Sequence, residues 1–199
     1  MRGREADQFF NEFDPAPTYQ ISKDSFHHRV SATGLWELPF GRGRRFLRSG
    51  PLSHIAGGWQ VAATYEWQPG EPLNWPNLFY NGDTGNISGG ERTLDRWFNR
   101  DNLERAAARQ PAAFHRRVFP TRLENVRADG LDRMDANVQR EFRFKEEFAL
   151  QLRLDMLNVF NRSQFAAPVV DPVSTNFGRV TSHTATTMRF LLVQARLRF

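Results

Sequence analysis

The sequence predicts an all-β fold, an antiparallel meander of about five long strands of the transmembrane-barrel kind. Three observations predict it. Apolar and polar residues alternate with period two in five separate segments, the mark of strands with two different faces. Those segments run about 11–14 residues, whereas strands of soluble sheets usually have 5–6 and a bilayer crossing takes roughly 9–11. The connections between them alternate in length, as expected when short turns lie on one side of a membrane and long loops on the other.

The first strand, 27–38, carries Val30, Ala32, Gly34, Trp36 and Leu38 on one face and Arg29, Ser31, Thr33 and Glu37 on the other. A moderate Gly/Arg-rich turn, 39–54, leads to the second, 55–68. There Ile55, Gly57, Trp59, Val61, Ala63, Tyr65 and Trp67 alternate with small or polar residues. Trp59 near one end, with Tyr65 and Trp67 at the other, suits the aromatic girdles that flank an apolar band. The third strand, 131–144, sets Met134, Ala136, Val138, Phe142 and Phe144 against Arg133, Asp135, Asn137, Gln139, Glu141 and Arg143. Arg140 breaks its apolar face, and either a β-bulge or a snorkelling side chain would reconcile it. Lys145-Glu146 leaves room only for a tight turn. The fourth strand, 147–160, has Phe148, Leu150, Leu152, Leu154 and Met156 against Ala149, Gln151, Arg153 and Asp155. The fifth, 186–199, ends the sequence with Val193, Ala195, Leu197 and Phe199 alternating with Gln194, Arg196 and Arg198.

The long connections are 69–130 and 158–185. Asn81-Gly82-Asp83-Thr84-Gly85-Asn86 reads as turns. A short helix is expected near Leu94–Arg109, with Asp95 or Asn99 near its start.

Composition narrows the class further. The chain has 199 residues, 27 basic and 22 acidic, for a net charge of +5, and its mean hydropathy is −0.60. It holds no run approaching ~18 apolar residues, so a transmembrane helix is excluded, but a barrel whose strands alternate is not. Hydrophobic residues at 40%, including 18 Phe and 5 Trp, are too many for a disordered chain. Zero cysteines remove disulfides, thiolate metal sites and cysteine nucleophiles together. Met1-Arg2-Gly3-Arg4 is not followed by an apolar stretch, so no signal peptide is visible.

No catalytic motif is present. His27, His28, His54, His115 and His183 lack metal-ligand spacing, and adjacent strand positions such as His27 and His28 point to opposite faces. A nucleophile elbow and a phosphate-binding loop are both missing. Asp83, Glu91, Asp95 and Asp101 form a loose acidic scatter that could hold calcium or simply be solvated loop charge. Gly41-Arg42-Gly43-Arg44-Arg45 is a single copy of a pattern seen in nucleic-acid-binding segments and is better read as a basic turn. The sequence therefore predicts no enzyme, no cofactor, no catalytic or metal-ligating residue and no nucleic-acid partner.

The ordered motifs resemble a family. Leu38-Pro39-Phe40-Gly41-Arg42-Gly43-Arg44-Arg45-Phe46, after His28-Arg29-Val30 and before Gly57-Gly58-Trp59-Gln60, is similar to the late barrel of large TonB-dependent, receptor-like outer-membrane proteins with an N-terminal carboxypeptidase-regulatory-like domain. Leu94-Asp95-Arg96-Trp97-Phe98-Asn99 is similar to the segment after their long extracellular loop. Leu157-Asn158-Val159-Phe160-Asn161-Arg162-Ser163-Gln164-Phe165 and Phe177-Gly178-Arg179-Val180 resemble the end of that barrel in order. The resemblance implies the bacterial outer membrane as location and the C-terminal part of a transmembrane β-barrel as fold. It also implies that barrel-assembly machinery reads the terminal strand through Phe199.

Such receptors also carry a signal peptide, a TonB box, a plug and about 22 strands, whereas five strands leave two open edges that lipid does not tolerate. The expectation is a C-terminal segment of a transport protein, a fragment not transport-competent alone. Its partners would be outer-membrane lipid, the remaining barrel and plug, and TonB only through upstream regions. Residues 1–26 would be the remnant of an extracellular loop, and 27–199 the terminal strands with their long extracellular loop at 69–130. The alternative is a soluble β-sandwich binding module, with carbohydrate as its candidate ligand, using exposed aromatics of the long loop. Loop residues such as Trp75, Trp97 and Arg96 suit packing equally well.

Overall fold

A computed structural model describes residues 4–5, 9, 11–144, 148–184 and 188–199. The tight Lys145-Glu146 turn, the start of the last predicted strand and most of the first ten residues lie outside that set. The chain divides into two compact units. One holds residues 30–67, 132–163 and 185–199, the other residues 1–29, 68–131 and 164–184.

The first unit is built on an antiparallel sheet of five strands, hydrogen-bonded in sequence order: β3 (Val30–Glu37), β4 (Trp59–Gln68), β5 (Leu131–Phe144), β6 (Phe148–Leu157) and β7 (Phe190–Arg198). Two further segments, β1 (Arg4–Glu5) and β2 (Gln20–Ile21), form a two-residue ladder in the other unit. At ~3.3 Å per residue and a tilt near ~40°, ten residues rise about 25 Å, the height of an outer-membrane apolar band. β4 and β6 have that length, and β5, at 14 residues, exceeds it.

The register preserves the alternation across the sheet. Val138 pairs with Leu154, Phe142 with Leu150, Leu152 with Ala195 and Leu154 with Val193. Since one residue of slip would turn every side chain to the opposite face, this pairing keeps most apolar residues opposite apolar ones, with Arg140–Leu152 and Asp155–Leu192 as exceptions. Arg140 pairs with Leu152 within an unbroken ladder from Ala136 to Phe144. No bulge interrupts this β5–β6 ladder, and the Arg140 guanidinium reaches to the carbonyls of His54 and Ile55, as the snorkelling reading expects.

Two of the expected strand starts move inward. The first strand begins at Val30 rather than 27, and the second at Trp59 rather than 55. The second shift has a local cause: Pro51–Ala56 forms a helical turn, α1, with Pro51 at its first position and Gly50 before it at φ 86°. Proline's fixed φ and missing N–H suit that position. Ile55 and Gly57 thus extended the period of two by coincidence.

The second unit, made largely of the two long connections, contains the hydrophobic core. Leu73, Trp75, Leu78, Ile87, Trp97, Phe98, Phe119 and Phe177 are all buried there. Trp75 meets Phe98 edge-on at 4.7 Å and Phe119 at 5.6 Å, while Phe98 meets Phe177 at 5.3 Å. Edge-to-face aromatic pairs add about 0.5–1.5 kcal/mol each beyond their burial. Phe177 comes from the second long connection, so the two predicted loops fold as one body.

The helix expected near Leu94–Arg109 does not form. Only Ala107–Arg109 makes a 3-10 turn, and Thr84–Ser88 makes another. Local side chains take the backbone donors instead: Thr93 Oγ1 accepts from the Arg96 N–H at 3.1 Å and Asn99 Oδ1 from the Asp101 N–H at 3.1 Å. Such bonds compete with helix formation. The Trp97 and Asn99 N–H groups then pair with the Gly178 and Ile87 carbonyls.

Candidate functional site

The functional surface of the strand unit is the sheet itself, which has two chemically opposite faces. One face carries Val138, Phe142, Leu150, Leu152, Leu154, Met156, Val193 and Leu197. The other is a band of charge pairs and amides. Arg153 and Asp155 pair at 2.7 Å, Gln194 donates to Asp155 at 3.2 Å, Gln60 and Gln139 bond across strands at 3.1 Å, and Arg133 pairs with Asp135 at 2.8 Å. No residue of β3 to β7 is buried, on either face. In a soluble sandwich every second residue would be packed into a core. All the buried apolar residues belong instead to the other unit. β3 and β7 are exposed along their whole length.

The family model for an outer membrane beta barrel domain matches residues 2–192. The chain belongs to that family. Among curated proteins and solved structures, none matches it.

In this outer-membrane barrel protein the two faces take their meaning from the membrane. The apolar face is the lipid face, and the charge-paired face lines the wet interior, which spares Arg153, Asp155 and their neighbours desolvation. The soluble sandwich has no counterpart among the described residues, where the only other pairing of strands is the two-residue ladder. Of the loop residues weighed for it, Trp75 and Trp97 are buried, and Arg96 spans Asn99 and Asp101 at 2.6 and 2.9 Å.

Aromatics mark both ends of the lipid face. Trp67 and Tyr65 sit at one end of β4, and Trp59, Trp36, Phe142 and Phe144 gather at the other. At the Tyr65 end, the Tyr65 hydroxyl lies beside Asp132, which pairs with Arg162. Here the Leu157-to-Arg162 motif gains a physical reading. Asn158 and Asn161 occupy left-handed backbone at φ 51° and 50°, and the Asn158 side chain bonds both the N–H and the carbonyl of Arg162 at 3.0 Å. Asparagine is among the few side chains that accept that conformation.

At the opposite end, Arg140 explains its own position. Its guanidinium donates to the carbonyls of His54 and Ile55, in the last turn of α1, and lies 4.0 Å from the Phe142 ring centroid. A helix leaves its last carbonyls unsatisfied, and a cation there is favoured. Trp59 donates its indole N–H to the same Ile55 carbonyl at 3.0 Å. The apolar register is therefore broken at a position where the guanidinium caps a helix.

In the loop unit, the sequence-level candidates do not converge. Asp83 caps the 3-10 turn through the Gly85 N–H, Asp95 pairs with Arg179 at 2.8 Å, and Asp101 pairs with Arg96. His27 bonds Glu124 at 2.8 Å and His115 bonds the Arg116 carbonyl at 2.6 Å. Among the described residues no three His, Asp or Glu side chains meet as a metal site. Apart from Trp97, the side chains of the Arg92–Trp97–Arg127 network that holds the unit together are not singled out by the sequence. Arg92 stacks 3.5 Å over Trp97, whose indole N–H donates to the Arg127 carbonyl at 2.8 Å, and Arg127 in turn reaches the carbonyls of Ser25 and Gly70. Burial lowers the pKa of Arg92 and of Arg127. The N–H of Ala106 holds Glu104 below its ordinary value against an opposing effect of burial, helped by the Arg105 N–H and Arg109. Aromatics scattered through a stretch otherwise rich in Asn, Gly and Arg were the available signal.

Proposed function

We propose that this chain supplies the last five strands of a larger outer-membrane transport barrel of the TonB-dependent-receptor type. The observation that carries the reading is an open five-stranded sheet whose faces suit lipid and water. Both of its outer strands present unpaired backbone groups. In hydrocarbon each such group costs several kcal/mol, so the sheet needs further strands on both sides to close. On this reading residues 69–130 and 158–185 are extracellular loops, and most of them share a folded core of their own. Residues 11–29, which bond to it through Asp14–Arg116 and Arg122–Ile21, belong to the same body. Phe199, exposed at the end of β7, is the residue that barrel-assembly machinery would read. Plug and TonB coupling come from regions other than these strands.

Isolation of the tagged chain from bacterial outer membranes under conditions that keep barrels intact tests this. The reading expects further barrel strands and a plug in the isolated complex, with cross-linking to TonB in energised cells. Recovery as a folded, lone chain in the aqueous fraction contradicts it. Deleting Phe199 is expected to reduce the membrane-assembled yield far more than Arg198→Ala does, and equal yields contradict the terminal-signal role.

A further inference from the structure

The turn between β3 and β4 is longer and more ordered than a periplasmic connection needs to be, since such turns are short in outer-membrane barrels. Residues 38–58 contain Arg42, Arg44, Arg45 and Arg48 and not one Asp or Glu. All four arginines are exposed, and Arg44 is occupied by Glu37. Between them stand exposed apolar side chains: Phe46 and Leu47, then Leu52 and Ile55 on α1, the last two 63% and 66% exposed.

The turn is also preformed. The Gly41 N–H donates to the Phe46 carbonyl and the Phe46 N–H to the Pro39 carbonyl, both at 2.9 Å. Gly41 and Gly57 bring their backbones so close that a Cβ on Gly57 would lie 2.7 Å from the Ser53 carbonyl and 2.8 Å from the Gly41 Cα. Arg140 and Trp59, both on the lipid face, hold the C-terminal end of α1. That end of the helix therefore lies at the lipid-facing rim and not over the barrel interior.

We propose that this turn is a docking element for anionic phospholipid headgroups of the periplasmic leaflet, with Arg42, Arg45 and Arg48 meeting phosphates while Leu52 and Ile55 enter the interface. Charge complementarity selects the occupant: an acid-free basic surface, interleaved with apolar side chains and fixed beside the lipid face, matches an anionic bilayer surface. It goes beyond the transport reading, because it needs only the barrel.

Flotation of the full chain, refolded from denaturant, with vesicles of phosphatidylcholine alone or with roughly 30% phosphatidylglycerol tests the proposal. The wild type is expected to favour the anionic vesicles. Arg42→Ala, Arg45→Ala and Arg48→Ala together are expected to weaken that binding on the order of 100-fold, about fivefold for each arginine near the surface. The corresponding triple lysine variant should retain it, which separates charge from folding. A control removing equal charge from the loop unit, Arg96→Ala, Arg109→Ala and Arg116→Ala, should also retain it. Equal binding by wild type to both vesicles, loss in the lysine variant, or equal loss in the control each overturns the proposal. Retention by the alanine variant does the same, and would leave a periplasmic protein as the occupant.

Discussion

Arg140 and Leu152 are directly paired on one face of β5 and β6, and their contrast shows what decides the fate of a charge there. Arg140 finds two helix-end carbonyls and an aromatic ring within reach. An arginine at 152 would have none of these, with Ala195 as its other cross-strand neighbour. Leu152→Arg is therefore expected to cost about 2–4 kcal/mol in a completed barrel, whereas Gln151→Arg, on the interior face, should cost little. Reversible unfolding in lipid measures both, and equal costs would refute the register. Glu104 gives a residue-scale pH dependence. Its carboxylate accepts from the N–H groups of Arg105 and Ala106 at 3.0 and 2.9 Å, and its pKa is lowered from 4.5. A group whose folded pKa is depressed contributes stability above its unfolded pKa and loses it as pH falls through the folded value. Amide protection over residues 104–110 is thus expected to hold at neutral pH and decline below about pH 4.5, while Glu104→Gln should remove that dependence. Protection that is flat with pH in the wild type would contradict it.

The elements differ in how plainly the residues announce them. β5 begins and ends where the alternation does, because Gly130 precedes it and a long period of two, broken only at Arg140, fills it. β6 was equally legible through Leu150, Leu152, Leu154 and Met156 at alternate positions. The start of β4 was not, because Ile55 and Gly57 fit a strand period while Gly50-Pro51 had already set a helical turn. The loop core was invisible to periodicity altogether. Its members, from Leu73 through Phe119 to Phe177, follow no repeat, and their burial depends on contacts between two segments far apart in sequence. The helix expected near Leu94 failed for the opposite reason: a plausible local pattern lost to side-chain bonds and to pairing with Ile87 and Gly178. At this scale the β3–β4 turn offers a clean steric test. Gly57 has φ −85°, so Gly57→Ala adds no backbone strain and acts only through the clash with Ser53 and Gly41. It is expected to cost about 1–3 kcal/mol and to increase protease cleavage within 38–58. Unchanged cleavage would mean that the turn is not held by this contact.

For the whole molecule, the consequence of an open sheet is a gradient of protection. Backbone amides in β5, paired on both sides, should exchange slowest in the chain alone. The outward amides of β3 and β7 should exchange fast in micelles and become protected when the remaining strands are present. Similar protection of all five strands in the lone chain would mean that the edges close by some other route. The central claim is that alternate residues of one strand face lipid and water. A chain with no native cysteine makes it directly testable. Single cysteines at 151, 152, 153 and 154, each carrying a fluorescent probe in the membrane-assembled protein, report their surroundings through quenching. Probes at 152 and 154 are predicted to be quenched by lipid-attached nitroxide, and those at 151 and 153 by a water-soluble quencher. Equal accessibility of all four to the water-soluble quencher would contradict the membrane-spanning sheet.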